Sequence, residues 1–203
     1  MPLVRKPQDP ALAAPPTPGA LAALSSADPE ERWAAARAAL NLEELARALP
    51  TEEDARVREA MFTSLARIDT VESAHHLLPL LRSDDAQLRA GALDALRMMP
   101  TAVEALLATL LQDHDADVRI LSCELARNLS SEQATSMLCA LLAREDQVNV
   151  CAAAIEVLAE VGSPAALPVL ESCQQRFHDA PFLGFAIKIA MDRITSQSTA
   201  PRG

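Results

Sequence analysis

The residues best suited to bind a metal ion or to act as nucleophiles are four histidines and four cysteines. His75 and His76 are adjacent, whereas His114 and His178 each precede an aspartate. A protein metal site needs several Cys, His or carboxylate side chains at a spacing that lets them converge on one ion. None of the histidines has such a partner at that spacing, so the sequence predicts no metal site and no cofactor.

The cysteines stand singly within helical patterns, without a C-x-x-C pair. This usage is typical of small buried side chains in a reducing compartment. The chain also has no glycine-rich phosphate loop and no G-x-S-x-G nucleophile motif. These observations predict that the protein is not an enzyme. The cysteines are Cys123, Cys139, Cys151 and Cys173.

A charged pattern, D-x-x-[VL]-R, recurs at residues 54–58, 85–89 and 115–119. The arginine lies about 50° from the centre of the apolar side of its helix, so its stem can pack while its head group reaches an acceptor. Such a series could form a functional charge array. We expect a structural role instead, in which each arginine bridges to an aspartate of its own or the next repeat.

The same pattern sets the period of an internal repeat of two helices. The aspartates of the three central copies are expected to cap the first helix of each unit, and the apolar residues that follow form one narrow stripe. A single helical hairpin cannot bury this stripe and must stack on its neighbours. The sequence therefore predicts an all-α fold, a right-handed α-α superhelix of about five helical hairpins plus a terminal helix. Copies begin at Asp28, Asp54, Asp85, Asp115, Gln147 and Asp179.

The last two copies depart from the pattern. Cys151 replaces the arginine in the copy before the last, and the sequence offers no reason for this. In the final copy, which begins at Asp179, Phe182 is predicted to lie in the buried stripe. The segment 181–194 is apolar nearly all round. We expect it either to pack beneath the residues around Phe177 or to form a self-association face.

Composition divides the chain into three regions and narrows the choice of partner. Residues 1–26, with six prolines among the first eighteen positions, are predicted to be a disordered Pro/Ala-rich tail. Residues 27–195 form the repeat domain, and 196–203 a second disordered tail. A net charge of −10 repels phosphate backbones and anionic membranes, so neither nucleic acid nor membrane is expected as a partner. Without a membrane-spanning apolar run or a secretory signal, a cytoplasmic location is expected.

The repeat resembles the HEAT family, in the short bacterial form of roughly 30 residues that is also found in phycobilin-lyase-like proteins. The resemblance covers about residues 28–194 and rests on the D-x-x-[VL]-R pattern. It implies a solenoid whose second helices line a concave face, without a specific activity. The run 148–171 further resembles HEAT-repeat proteins of bacterial chemotaxis-type signalling systems. That resemblance implies a histidine kinase, a coupling protein or a response regulator as partner.

The sequence thus predicts a non-catalytic scaffold or adaptor that binds a protein partner, one with a basic patch, on its concave face. Small or polar side chains at matched positions of the second helices would leave a shallow groove for a helix or loop. Two alternatives stay open: a bilin-lyase-like enzyme or cofactor chaperone, which would bind a tetrapyrrole, and a purely structural subunit. The expected partner-binding residues are His75, Arg82, Ala105, Thr109, Gln112, Ser136, Ala140 and Arg144.

Overall fold

A computed structural model describes residues 23–39 and 41–199, which form eleven α-helices and four short 3₁₀ segments, with no strand in these two ranges. The α-helices are α1 Pro29–Ala38, α2 Leu42–Ala48, α3 Ala55–Ile68, α4 Val71–Leu77, α5 Ala86–Arg97, α6 Pro100–Leu110, α7 Ala116–Leu125, α8 Ser131–Leu142, α9 Val148–Val161, α10 Leu167–Arg176 and α11 Pro181–Thr199. The 3₁₀ segments are Leu49–Thr51, Leu78–Arg82, Ala126–Asn128 and Pro164–Ala166.

Ten of the helices pair into five consecutive hairpins, and α11 follows the last of them. We call α1, α3, α5, α7 and α9 the first helices, and α2, α4, α6, α8 and α10 the second helices. Each first helix packs against the first helix of the next hairpin, and α11 packs on α9 and α10. The predicted all-α superhelix of five hairpins plus a terminal helix is confirmed.

The first helices begin where the sequence places their caps. The carboxylates of Asp54, Asp85 and Asp115 accept backbone N–H groups from the first turns of α3, α5 and α7. Asp28 does the same for α1, whereas Gln147 precedes α9 without a capping hydrogen bond from its side chain. An N-cap acceptor satisfies donors that have no partner inside the helix. The recurring aspartates therefore set where each repeat starts.

The apolar stripes meet in one core that runs through all five hairpins. On α3 the stripe consists of Val57, Met61 and Leu65, which are all almost fully buried. The equivalent positions on α9 hold Val150, Ala154 and other small or branched residues. Because a hairpin exposes this stripe when it stands alone, the stacking of repeats supplies most of the burial that stabilises each helix.

The predicted burial of Phe182 in the final copy is wrong. Phe182 was expected in the buried stripe but is 56% exposed, whereas Leu183 is fully buried. The reason is the start of α11: its first residue is Pro181, and the N–H of Gly184 bonds to the carbonyl of Ala180. Proline is favoured at the first helical position, so the helix begins one residue later than a cap at Asp179 would place it.

One side of α11 is buried and the other is open. Leu183 and Ile187 are buried against α9 and α10, so this side of the helix packs next to the turn that contains Phe177. Phe185 is 69% exposed, and Ile189 lies one turn further along on the same open side. This side of α11 thus packs on the preceding repeat, whereas packing beneath Phe177 itself stays a prediction. Self-association through the open side stays a prediction.

Ordered structure extends past both predicted boundaries of the repeat domain. Leu24 is buried in the core, and the hydroxyl of Ser26 donates to Glu31 at 2.6 Å. At the other end α11 continues to Thr199, four residues beyond the predicted boundary at 195. The remaining parts of the two predicted tails, 1–22 and 200–203, lie outside the described residues.

Asp69 links the second repeat to the third. It has a left-handed backbone with φ of 45°, and its carboxylate accepts the N–H of Ala102 at 3.1 Å and that of Thr101 at 3.4 Å. The N-cap residue of α6, Met99, provides no side-chain acceptor. Asp69 therefore caps a helix of the next repeat.

We expect Asp69→Ala to lower the free energy of unfolding by about 2 kcal/mol, through loss of the cap and strain in the left-handed conformation. Asp69→Asn keeps both an acceptor and a tolerated backbone, so its loss should be under about 1 kcal/mol. Asp69→Gly removes the cap but relaxes the backbone and should fall between the two. Urea unfolding measures all three. Equal stability of the alanine and asparagine variants would contradict the capping role.

Candidate partner-binding face

All eight residues predicted for partner binding are exposed and lie on three consecutive second-helix segments. α4 packs against α6, and Gln133 of α8 donates a hydrogen bond to Glu104 of α6 at 2.5 Å, so these positions lie on one side of the array. We call this the second-helix face. His75 lies on α4 and Arg82 at the end of the following 3₁₀ segment; Ala105 and Thr109 lie on α6, with Gln112 just after it; Ser136 and Ala140 lie on α8, with Arg144 just after it.

The middle of the second-helix face carries small side chains. Ala105 and Thr109 are exposed on α6, and Ser136 and Ala140 are exposed on α8. Among the described residues, the hydroxyls of Thr109 and Ser136 have no hydrogen-bond partner. His75 extends the row onto α4. Exposed polar groups without an internal partner are free to bind another molecule. That these small side chains form a binding strip stays a prediction.

The arginines at the ends of the second helices have structural partners. Arg82 forms an ion pair with Asp113 of the next repeat. Arg144 donates to the carbonyl of Leu111 at 2.9 Å, just beyond the end of α6. Carbonyls at a helix C-terminus lack internal donors, and that end of the helix favours a positive charge. Two of the eight predicted residues thus help to hold neighbouring repeats together.

The opposite edge of the second-helix face is acidic. Glu72 and Glu132 lie in the first turns of α4 and α8, where the positive end of the helix dipole favours carboxylates. Glu104 on α6 is exposed and accepts a hydrogen bond from Gln133 at 2.5 Å. Sequence reasoning did not assign this acidic edge, although the three glutamates near the helix starts were a visible signal. One edge of the second-helix face is therefore negatively charged, and the edge with the arginines is positively charged.

The recurring arginines of the first helices are structural, as predicted, but two of them use a different acceptor. Arg119 binds both carboxylate oxygens of Glu145, at 2.7 and 3.0 Å, and Arg32 binds Glu52 at 2.8 and 2.9 Å. Both glutamates precede the next repeat's N-cap position by two residues. Of the recurring first-helix arginines that the structure describes, only Arg58 pairs with an aspartate, Asp85, at 3.8 Å. The expected bridge to an aspartate is thus a bridge to a buried glutamate in two of the repeats.

These contacts shift the protonation of the buried glutamates. The hydrogen bond from Arg32 lowers the pKa of Glu52, against the opposing effect of burial. Burial by itself would raise the pKa of Glu145, but the hydrogen bonds from Arg119 and from the backbone N–H of Gln147 outweigh it, and the pKa of Glu145 is lowered. Both side chains are therefore ionised at neutral pH. Glu52 and Arg32 also line a cavity of about 530 Å³ at the first repeat.

The structure explains why Cys151 replaces the arginine in the fifth repeat. In the other four repeats that arginine donates to the carbonyl two residues before the N-cap, as Arg89 does to Ser83 at 2.5 Å. In the fifth repeat the carbonyl of Glu145 accepts from Arg176, on α10, at 3.2 Å. A guanidinium from the second helix fills the place of the missing one.

Sequence reasoning missed a groove on the opposite side of the array, between α3 and α5. The groove encloses about 380 Å³ and has the ring of Phe62, Gly91 and Met98 among its lining residues. Met98 is 60% exposed. A β-carbon on Gly91 would lie 2.3 Å from the Phe62 ring. A glycine inside a helical pattern was the signal of a close approach of this kind.

The described residues offer neither a metal site nor a membrane-spanning helix. In the ranges 23–39 and 41–199, no group of three or more His, Cys, Asp and Glu side chains could hold a metal ion. His75 is exposed and His76 is half-buried. No helix in the same part of the chain is long and apolar enough to span a bilayer.

Comparison with known proteins gives a partial family match. Residues 103–180 match the family model for HEAT repeats. The match runs from α6 through α10 and covers the fourth and fifth hairpins completely. No curated protein sequence matches the chain.

Solved structures with similar architecture are distant. A designed armadillo repeat protein in complex with the peptide (KR)4 is 20% identical, with 87% of this chain and 98% of that one covered and a TM-score of 0.44. An engineered protein is also 20% identical, over 87% of this chain and 95% of that one, with a TM-score of 0.42. The complex of CpcE and CpcF of phycocyanin lyase from Nostoc sp. PCC7120 is 18% identical, over 95% and 100% of the two chains, with a TM-score of 0.36.

Proposed function

We propose that this chain is a non-catalytic scaffold that binds a protein partner along the second-helix face. The observation that supports it is the strip of small, exposed side chains on consecutive second helices, including Thr109 and Ser136, whose hydroxyls have no partner among the described residues. A flat, repeated strip of this kind fits an extended segment or a helix. The two charged edges would fix the orientation of the partner, because its surface must complement carboxylates along one edge and arginines along the other.

The partner proposed for this face is a protein with a basic patch. The patch would lie over Glu72, Glu104 and Glu132, which form the acidic edge. The arginine edge contributes less attraction, since Arg82 and Arg144 already bind groups of this chain. Long-range attraction also favours a basic partner, because the chain carries a net charge of −10.

The finer part of the proposal is a cytoplasmic adaptor in a bacterial chemotaxis-type signalling system. Its support is the resemblance of the run 148–171, which forms α9 and the first half of α10 in the fifth repeat. The partner would then be a histidine kinase, a coupling protein or a response regulator. Each of these would have to present a basic patch to the acidic edge.

The test is an affinity capture from the source cell's lysate with the native chain and with the double variant Thr109→Arg, Ala140→Arg. Both substitutions put a long cation into the small-residue strip. A partner of the second-helix face should bind this variant at least about tenfold more weakly, because the strip is filled and its charge is changed. Captured proteins are identified by mass spectrometry, and the affinity of the purified pair is then measured.

A matched control is Thr63→Arg with Ala90→Arg. Thr63 on α3 and Ala90 on α5 are exposed positions of the same residue types on first helices. The control adds the same charge and should bind like the native chain. If the control loses the partner and the first variant keeps it, the binding face is on the first helices. A preparation that binds no protein but gains visible absorbance with a tetrapyrrole would support the bilin-lyase-like alternative instead.

A further inference from the structure

Two buried cysteines of the fifth repeat face each other across its hairpin. Cys151 lies in the first turn of α9 and Cys173 in the last turn of α10, and both are shielded from solvent. The thiol of Cys151 contacts the carbonyl of Glu145 at 3.6 Å, and Arg176, one turn after Cys173 on α10, contacts the same carbonyl at 3.2 Å. The two cysteines therefore belong to one cluster, in which each thiol shifts the pKa of the other. The proposed partner-binding face uses neither of them.

A guanidinium completes the cluster. Arg176 is held in place by the carbonyls of Leu142, Ala143 and Glu145, the last two at 3.3 and 3.2 Å. From this position its positive charge also acts on Cys173, one turn earlier on α10, and lowers the pKa of that thiol. A fixed cation beside a buried thiol favours the thiolate, which is the nucleophilic form of cysteine.

The two thiols consequently differ in acidity. The hydrogen bond from Cys151 lowers the pKa of Cys173 to about 7, burial opposes this, and Arg176 adds to the lowering. Donation of that hydrogen bond, together with burial and the nearby carboxylate of Glu145, raises the pKa of Cys151. Burial also raises the pKa of Cys123, to about 12. These shifts favour ionisation of Cys173 over ionisation of Cys151.

The single proton of Cys151 has two acceptors within reach. In the neutral pair the thiol of Cys151 donates to the carbonyl of Glu145, at an S···O distance of 3.6 Å. When Cys173 ionises, the same proton can turn to its sulfur. The carbonyl of Glu145 keeps a donor throughout, because Arg176 bonds to it as well. The rotation therefore leaves no buried acceptor without a partner.

We propose that Cys151 and Cys173 form an oxidation site, at which a small hydroperoxide such as hydrogen peroxide converts the two thiols into a disulfide between α9 and α10. The Cys173 thiolate attacks one peroxide oxygen, the O–O bond breaks, and hydroxide leaves as Cys173 becomes a sulfenic acid. The Cys151 sulfur then displaces the sulfenic oxygen as water, and its own proton leaves with that oxygen. In total, two thiols and one hydrogen peroxide give one disulfide and two waters.

The product would lock the hairpin of the fifth repeat. Cys151 is close to the start of α9 and Cys173 is near the end of α10, so the bond closes the loop that contains most of both helices. Closing such a loop restricts the unfolded chain more than the folded one. Reduction by a small thiol would reverse the change.

Peptide mapping of the full chain tests the proposal directly. Trypsin cleaves after Arg144 and Arg176 and at no residue between them, so peptide 145–176 contains both cysteines and no other. After treatment with hydrogen peroxide and alkylation in denaturant, this peptide should lose two hydrogen atoms and resist alkylation. Cleavage after Glu160 should leave its halves joined until reductant is added. Cys123 and Cys139 should remain alkylatable and serve as internal controls.

Two variants separate the mechanism from a general loss of structure, which circular dichroism monitors. Cys151→Ala should stop the reaction at the sulfenic acid of Cys173, which a dimedone reagent traps. Arg176→Gln should slow disulfide formation about fivefold at pH 7 and move the midpoint of its pH profile upward, because less Cys173 is ionised. Arg176→Lys restores the positive charge and should recover most of the native rate.

Three results would overturn the proposal. The first is a pair that stays fully alkylatable while Cys123 or Cys139 is oxidised. The second is Cys173 oxidised to sulfinic or sulfonic acid with no link to Cys151. The third is a disulfide that forms only between two chains.

Discussion

Replacing Glu145 with alanine is expected to lower the free energy of unfolding by about 3 kcal/mol. The carboxylate of Glu145 is buried before α9, where it binds Arg119 through two hydrogen bonds and accepts the N–H of Gln147 at 2.9 Å. Alanine removes both contacts and leaves Arg119, whose side chain is only 14% exposed, without its counter-ion. Removing one partner of a buried pair is costly because the other charge stays desolvated.

The control for this prediction is Glu156→Ala on the same segment of chain. Glu156 on α9 is exposed and pairs with Arg127 at 3.6 Å, so its loss should change stability by less than about 1 kcal/mol. The paired variant Arg119→Leu, Glu145→Leu removes both charges and should be more stable than Glu145→Ala alone. Urea unfolding measures each free energy. Equal losses for Glu145→Ala and Glu156→Ala would show that the buried pair contributes no more than a surface one.

The same pair makes stability depend on pH in a definite direction. The folded chain holds the pKa of Glu145 and of Glu52 below their ordinary values, so their contribution is fully present above the pKa of an unfolded glutamate. It is lost as the pH falls through the lowered pKa values of the folded state. We expect Glu145→Gln to flatten the acid side of the stability curve below about pH 4. A curve as steep as that of the native chain would assign the acid sensitivity to other groups.

The sequence was sufficient for the hairpins and their caps because both follow from local spacing. Asp54, Asp85 and Asp115 mark the starts of helices, and the apolar stripe behind each aspartate forces the repeats to stack. The burial of Phe182 in the last copy was predicted wrongly because two local signals competed. Asp179 looks like another cap, but Pro181 opens the helix two residues later.

Local spacing could not identify the acceptors of the first-helix arginines. These acceptors lie before the next repeat, and in the sequence they look like ordinary surface carboxylates. Glu52 and Glu145 differ from their exposed neighbours only once the stack has buried them. Arg176 on α10 takes the place of a first-helix arginine by binding the carbonyl of Glu145 before α9. This contact does not follow the repeat period, so the sequence pattern does not predict it. Likewise, the eight predicted face residues could be placed by their slot in the repeat, whereas the structural binding of Arg82 and Arg144 depends on neighbouring turns.

Gly91→Ala is the second substitution from which we expect a large effect, a loss of about 2 kcal/mol of unfolding free energy. By helix propensity alone the change should stabilise α5 by up to about 1 kcal/mol. The new β-carbon would however lie 2.3 Å from the ring of Phe62, which is buried between α3 and α5. Either the ring or the helix must move, and both shifts disturb the contact between the second and third repeats.

Gly184→Ala is the matched control, since a β-carbon at Gly184 on α11 would meet no atom within 4 Å. This variant should gain about 0.5 to 1 kcal/mol, so the two glycine substitutions should change stability in opposite directions. Phe62→Leu combined with Gly91→Ala should be more stable than the sum of the single changes predicts, because the shorter side chain makes room for the methyl group. Strict additivity of the two changes would show that the clash is relieved without the ring, and that the groove between α3 and α5 is soft enough to open around an added group.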